Sequence, residues 1–338
     1  MRYRGLVLAM VFIVALTFSI HTVRSNVSST PDYSFRVISA GQSQVDVEIP
    51  SGATGSDVAK ILFDNGVIKS ARAYFRIAVG DKRSEKVSPG MHRLSLKISA
   101  AQALEQLLDS KRIPNLIKVF EGAWKSEIED LMRRYGFTKS QIEAAFKSVV
   151  LPKGFSNSEG LLFPAQYSFA TGTTATEFVQ SMVNRFESEN VGQQILNSHG
   201  SYSPLQLLII ASIVQSEADT ADFQKVARVI FNRLKISMPL QMDSTIHYIK
   251  KVRGQIFLST SSTFIVSAYN TYKHNGLPPT PIGNPGVDAM SAALHPSVGD
   301  WLYFITVAPG DTRFTSSNSE FNGWKKIYEK NRKEGAFK

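Results

Sequence analysis

The chain has 338 residues, enough for two or three domains each with its own core. It holds no cysteine, which excludes disulfides, thiolate nucleophiles and zinc–thiolate sites. A net charge of +10 points to an anionic partner, but the basic residues are scattered rather than gathered in a stripe, so no nucleic-acid partner is expected.

Residues 1–4 are basic and residues 5–20 apolar and uncharged. His21, Thr22 and Val23 extend that run towards the ~20 residues that cross a bilayer. A cleaved signal peptide would end in a small-x-small site, whereas residues 18–24 are bulky. The reading is an uncleaved signal anchor over residues 1–24, its membrane span about 5–23. Arg2 and Arg4 would hold the tip in the cytoplasm and everything past Arg24 would be exported. Residues 25–36 are polar, include Pro31 and read as a linker.

An internal repeat follows. Residues 45–62 line up with 115–132 at a constant offset: Gly52-Ala53 with Gly122-Ala123, Ser56 with Ser126, Gly66 with Gly136, and Lys69-Ser70 with Lys139-Ser140. Val45, Val47 and Ile49 alternate as a half-buried strand, and Ile117 and Val119 repeat the pattern. Ser56 and Ser126 are read as helix N-caps, with Asp57 and Glu127 in the first turn. Gly66 and Gly136 suit the left-handed residue that stops a helix, and Ser70 and Ser140 would cap a second one. Closing strands are expected over 91–98 and 160–169, with a helix capped by Ser99 between the copies and running through Leu108. The repeat region is placed at 37–155 and a second domain at 156–338.

Beyond it, residues 176–186 have helical periodicity. Ser203 caps and Pro204 opens the central helix, whose residues 205–214 are apolar nearly all round, as in a buried helix. That helix runs into Glu217, at the end where the helix dipole disfavours a carboxylate. Glu217 is either a solvated residue just past the helix or a carboxyl with a raised pKa. An amphipathic helix over 222–234 follows, then an irregular stretch rich in Pro, Gly, Asn and Thr up to Pro296. Residues 301–307 read as a strand, and the basic tail from Lys325 as a surface helix that frays.

No nucleotide-binding loop, His-x-x-x-His pair or Gly-x-Ser-x-Gly turn occurs, and the six histidines are dispersed, so no cofactor and no metal site is expected. What remains is a concentration of polar and aromatic residues in two loops. One holds Gln241, Asp243, Ser244 and Thr245; the other holds Tyr269, Asn270, Thr271 and Tyr272. Amides and hydroxyls suit the hydroxyl edges of sugars and tyrosines their C–H faces, though ordinary turn chemistry produces such loops too.

Six ordered blocks carry a resemblance: residues 211–218 (ASIVQSEA), 229–234 (VIFNRL), 238–241 (MPLQ), 269–272 (YNTY), 276–279 (GLPP) and 284–286 (NPG). Together they resemble the YceG-like endolytic murein transglycosylases (MltG). Residues 159–167 (EGLLFPAQY) look like that family's segment before the catalytic domain, and the repeat like its LysM-like βααβ region. The resemblance implies an α+β protein, single-pass in the inner membrane, with its catalytic domain outside the cytoplasm. It implies cleavage of the MurNAc–GlcNAc bond within peptidoglycan strands, leaving 1,6-anhydro-muramoyl ends and terminating nascent strands, with peptidoglycan synthases as possible partners. The catalytic acid carries over to Glu217. Gln241, Asp243, Ser244, Thr245, Tyr269, Asn270, Thr271 and Tyr272 become the substrate-binding set. Gln215 stands where the family has a further acid and is read as surface variation. Residues 242–245 (MDST) stand for Ser/Thr-Asp-Pro-Thr, Thr312-Arg-Phe314 for His-x-Phe, and Glu320-Phe321 for Glu-His. A hydrolytic muramidase using Asp243 as second carboxylate, or a non-catalytic peptidoglycan-binding protein, are the alternatives.

Overall fold

The computed structural model describes residues 30–37, 41–50, 52–114, 116–169, 172–253 and 259–337. The expected membrane anchor and the first part of the linker lie outside these residues. Among the described residues no helix is long and apolar enough to cross a membrane. The fold is mixed α+β, built from helices and three two-stranded sheets among the described residues.

The chain forms two compact units. One runs to Leu116 and takes back Ser168 and Phe169; the other holds Ile117–Tyr167 and the chain from 172 on. The division differs from the expected boundary after residue 155, because the second copy of the repeat packs with the C-terminal part of the chain.

In the first unit β1 (Gln44–Ile49) pairs antiparallel with β2 (Gly90–Ser95), from Gln44 opposite Ser95 to Ile49 opposite Gly90. Between them lie α1 (Gly55–Asp64) and α2 (Ala71–Gly80); α3 (Ala100–Leu108) follows. Val47, Ile49, Val58, Leu62, Tyr74, Leu94 and Leu104 share one core. Ser70 and Ser99 cap as the sequence predicts. Ser56 does not, since α1 begins two residues earlier. Thr54 Oγ1 accepts from the Asp57 N–H (3.3 Å) and the Asp57 carboxylate accepts from the Thr54 N–H (2.8 Å), a reciprocal box.

The second unit opens with β3 (Ile117–Lys118), α4 (Lys125–Tyr135), α5 (Lys139–Ser148) and β4 (Gln166–Tyr167), Ile117 facing Tyr167 in an antiparallel pair. Trp124, not Ser126, occupies the N-cap of α4, and Thr138, not Ser140, caps α5. The expected strand over 160–169 shrinks to this two-residue ladder. The N–H groups of Gly160 and Leu162 are taken instead by the side-chain oxygen of the fully buried Asn284, each at 2.9 Å. The Asn284 amide donates to Ala123 O (2.7 Å) and to Glu159 Oε1 (3.2 Å). Asn284→Ala leaves both N–H groups buried and unpaired. It is expected to cost about 2–5 kcal/mol of stability in urea unfolding of the whole chain. Unchanged stability would mean that those groups find other partners.

Then come α6 (Ala175–Ser188), α7 (Asn190–Leu196), α8 (Pro204–Glu217) and α9 (Phe223–Lys235). They are followed by α10 (Asp243–Lys250), α11 (Val287–Leu294), the hairpin β5 (Tyr303–Ala308)–β6 (Asp311–Thr315) and α12 (Asn318–Lys333). The stretch expected to be irregular up to Pro296 thus contains two short helices. α8 is the centre. Ser203 caps it, accepting from the Gln206 N–H at 3.3 Å, and every residue from Leu207 to Val214 is buried. Around it pack α7, α9, α10 and α11. Each large side chain so buried contributes roughly 1.5–3 kcal/mol. α11 presents Ala289, Ala292 and Ala293, which bring its backbone close.

Candidate active site

Glu217 is the last residue of α8, and the chain leaves the helix in extended form at Ala218. Its carboxyl meets the start of α10: the Ser244 N–H donates to Oε1 at 2.9 Å. Early N–H groups of a helix have no partner within it, so the end of one helix is supplied by the beginning of the next. The helix dipole of α8 is therefore only half of the electrostatics.

Burial is the largest influence on the Glu217 carboxyl and pushes it up to about 7. The residue as a whole keeps some solvent contact. Ser244 opposes the rise through its backbone N–H and its hydroxyl, the nearby Asp243 charge adds to it, and the Arg233 guanidinium works against it. The Ser244 hydroxyl is buried and finds no partner of ordinary hydrogen-bond geometry among the described residues, so the N–H is the firm contact.

These groups line a cleft of about 1050 Å³. Of the residues expected from sequence, Glu217, Gln241, Asp243, Ser244 and Tyr272 face it. The Tyr272 hydroxyl donates to Asp243 Oδ1. The other four lie elsewhere: Thr245 and Thr271 join the two loops, and Asn270 and Tyr269 brace the second. Thr245 and Thr271 are buried, their hydroxyls 3.0 Å apart, and Thr271 Oγ1 accepts from the Met242 N–H at 3.0 Å. Asn270 is fully buried; its amide donates to Thr263 O (3.0 Å) and Ile265 O (2.7 Å) and its oxygen accepts from the Tyr272 N–H (2.9 Å). The Tyr269 hydroxyl is 2.7 Å from that of Thr280. Tyr269, Asn270, Thr245 and Thr271 therefore shape the site without lining it.

Arg233 and His247 line the cleft as well. Arg233, on α9, is buried and donates through Nε to Leu302 O at 2.6 Å, with its Cζ 5.5 Å from the centre of the Tyr303 ring. His247 faces the cleft one turn after Ser244, and its Nε2 is buried without a partner among the described residues. Burial holds the His247 imidazole below the usual histidine range. Gln215, read as surface variation, is half-buried, and its Oε1 accepts from the Gly286 N–H at 2.8 Å. It ties α8 to the segment before α11, a task that an amide or a carboxylate can perform.

A second buried acid stands away from the cleft lining. Glu159 accepts from the Lys125 N–H (2.9 Å), the Tyr248 hydroxyl (2.9 Å) and the Asn284 amide (3.2 Å), and burial raises its carboxyl. Through Tyr248 it anchors the C-terminal half of α10, whose N-terminus faces Glu217. Another hollow of about 560 Å³, beside Tyr202, Arg228 and Phe231, has no carboxylate among its lining residues.

The profile of the YceG-like family matches residues 47–326. A protein of Bacillus subtilis named "Endolytic murein transglycosylase" is 32% identical over 307 residues, covering 84% of this chain and 84% of its own length. One of the same name from Streptococcus pneumoniae is 27% identical over 312 residues; the match covers 82% of this chain and 56% of that longer protein. The crystal structure of a yceG-like protein from Listeria monocytogenes aligns with 83% of this chain and 98% of its own, at a TM-score of 0.54 and 27% identity. A profile that runs through most of the chain, and a relative above 30% identity matched along most of its length, lead to one conclusion: the chain belongs to the YceG-like family.

Proposed function

We propose that this chain is an endolytic murein transglycosylase that cuts the MurNAc–GlcNAc bond within peptidoglycan strands and leaves 1,6-anhydro-muramoyl ends. The observation that carries the reading is Glu217: an acid in an open cleft, its carboxyl raised to about 7 by burial and held at Oε1 by the Ser244 N–H. At neutral pH such a group is divided between its two forms, which is what one residue needs to act first as acid and then as base.

The protonated carboxyl donates to the glycosidic oxygen as the bond from C1 breaks. The muramoyl C6 hydroxyl attacks C1, a C1–O6 bond forms, and the Glu217 carboxylate accepts the proton leaving O6. The residue ends as it began and no water is consumed. Gln241 offers hydrogen bonds to the sugar, and Asp243, held by Tyr272, adds negative charge near the developing oxocarbenium. The membrane anchor, an extracytoplasmic catalytic unit, a LysM-like role for the first unit, release of nascent strands and contact with peptidoglycan synthases complete the reading.

A water-using muramidase is the second reading, favoured by one observation: Asp243 is another carboxylate in the same cleft. Borohydride treatment of the products separates the two. Anhydro ends resist reduction and are expected throughout; reducible ends would replace the lytic reaction with hydrolysis.

A further inference from the structure

The long helix α12 buries none of its residues, although its face at Phe321, Lys325, Tyr328, Glu329 and Arg332 is turned into the catalytic cleft. These positions recur at helical spacing, so one continuous stripe forms a wall of the cleft. The helix is held on β5: the Asn331 amide donates to Val307 O at 2.8 Å, and Phe321 stacks on Tyr303 with ring centres 5.1 Å apart. Tyr328 lies within electrostatic reach of Asp243 and takes a hydrogen bond from Arg332. The wall therefore stands at the reacting end of the cleft.

Its composition differs from that of the wall bearing Glu217. It carries two aromatic rings and, in order, a cation, an acid and a cation. Lys325 makes no ion pair with Glu329 or any other acid among the described residues; its ammonium rests 6.0 Å from the Phe321 ring centre. Both cations are exposed. Their position two turns apart on an open face suits a ligand with several spaced carboxylates rather than the single lactyl carboxylate that each muramoyl residue keeps once its peptide is removed. Peptidoglycan strands carry such groups on their stem peptides, which bear carboxylates and, where a diamino acid is present, an amine that Glu329 complements. The match to the family profile ends at residue 326, so Tyr328, Glu329 and Arg332 lie past it.

We propose that α12 is the specificity-determining wall of the cleft, taking the sugar face on Phe321 and Tyr328 and the stem-peptide carboxylates on Lys325 and Arg332, so that peptide-bearing strands are preferred to stripped ones. This rests on the transglycosylase reading for its substrate but not on the identity of the acid.

The test uses uncross-linked strands from one peptidoglycan sample, half with their peptides and half stripped by an amidase. Wild-type protein is expected to show a kcat/KM roughly tenfold higher on peptide-bearing strands, mainly through KM, as two exposed charge contacts would give. The preference should shrink as salt is raised. In Lys325→Glu/Arg332→Glu the ratio of the two kcat/KM values should fall to near one. Binding of both strands to Glu217→Gln protein is measured in parallel. A binding preference there upholds the proposal even if the wild type cleaves neither strand, a result that would count against the reaction alone. Equal binding and equal kcat/KM on both strands, a salt-independent preference, or a ratio untouched by the double reversal would overturn it.

Discussion

Glu217→Gln will lower the rate of strand cleavage by roughly 10²–10⁴-fold while leaving the fold and strand binding in place. The amide keeps an oxygen for the Ser244 N–H, so the junction between α8 and α10 loses no partner. What is lost is the proton. No other acid lies on that helix, since Gln215 occupies the position two residues earlier and its oxygen is engaged by the Gly286 N–H. The variant should also hold its stability better than wild type as pH rises. The Glu217 carboxyl, ordinarily at 4.5, is raised to about 7 by burial, so the folded protein binds the extra proton between those values. Wild-type stability therefore declines as pH climbs through that window, whereas the glutamine has no proton to lose. Thermal unfolding of both proteins on either side of the window checks this. Undiminished cleavage would remove Glu217 from the chemistry.

The pH profile gives the second large effect. The first step needs the protonated acid, so kcat/KM should fall about tenfold per pH unit above about 7. The Asp243 charge is one of the forces that hold the Glu217 carboxyl up. Asp243→Asn should therefore move the alkaline limb to lower pH, with a rate loss on top from the altered sugar site. A profile flat through neutrality, or a limb that moves to higher pH in the variant, would contradict the assignment of the acid.

Much of this was legible in the chain. Ser203-Pro204 followed by an unbroken apolar run names a buried helix, and Glu217 at its end follows by counting. The first repeat copy was legible because its strands alternate and a glycine stops its first helix: Gly66 takes a left-handed conformation, φ 69°, as does its counterpart Gly136 in the second copy, φ 115°. The cap of α1 was misplaced because Ser56 and Thr54 are both good caps. The residue three places on decides between them: Asp57 can reach back to Thr54, whereas Ala59 offers Ser56 nothing.

The site was harder. α10 is short and contains Thr245, Ile246 and Tyr248, poor helix formers whose helix is held by Glu159 from a distant segment. Asn270 has the chemistry of a sugar ligand, yet its amide is used by carbonyls a few residues away, and local bonds of that kind leave no mark on composition. Arg233, His247 and the α12 face depend on non-local packing against the cleft. The basic tail was visible as a helix from Lys325, but its start at Asn318 and the direction of its stripe were not.

One measurement reaches the centre of the account: cleavage of peptidoglycan strands in water enriched in oxygen-18, with products weighed. If Glu217 drives attack by the muramoyl C6 hydroxyl, the new ends carry no label and each muramoyl product is lighter by one water than the hydrolytic one. Labelled ends at full product mass would show water as the nucleophile and contradict the lytic mechanism.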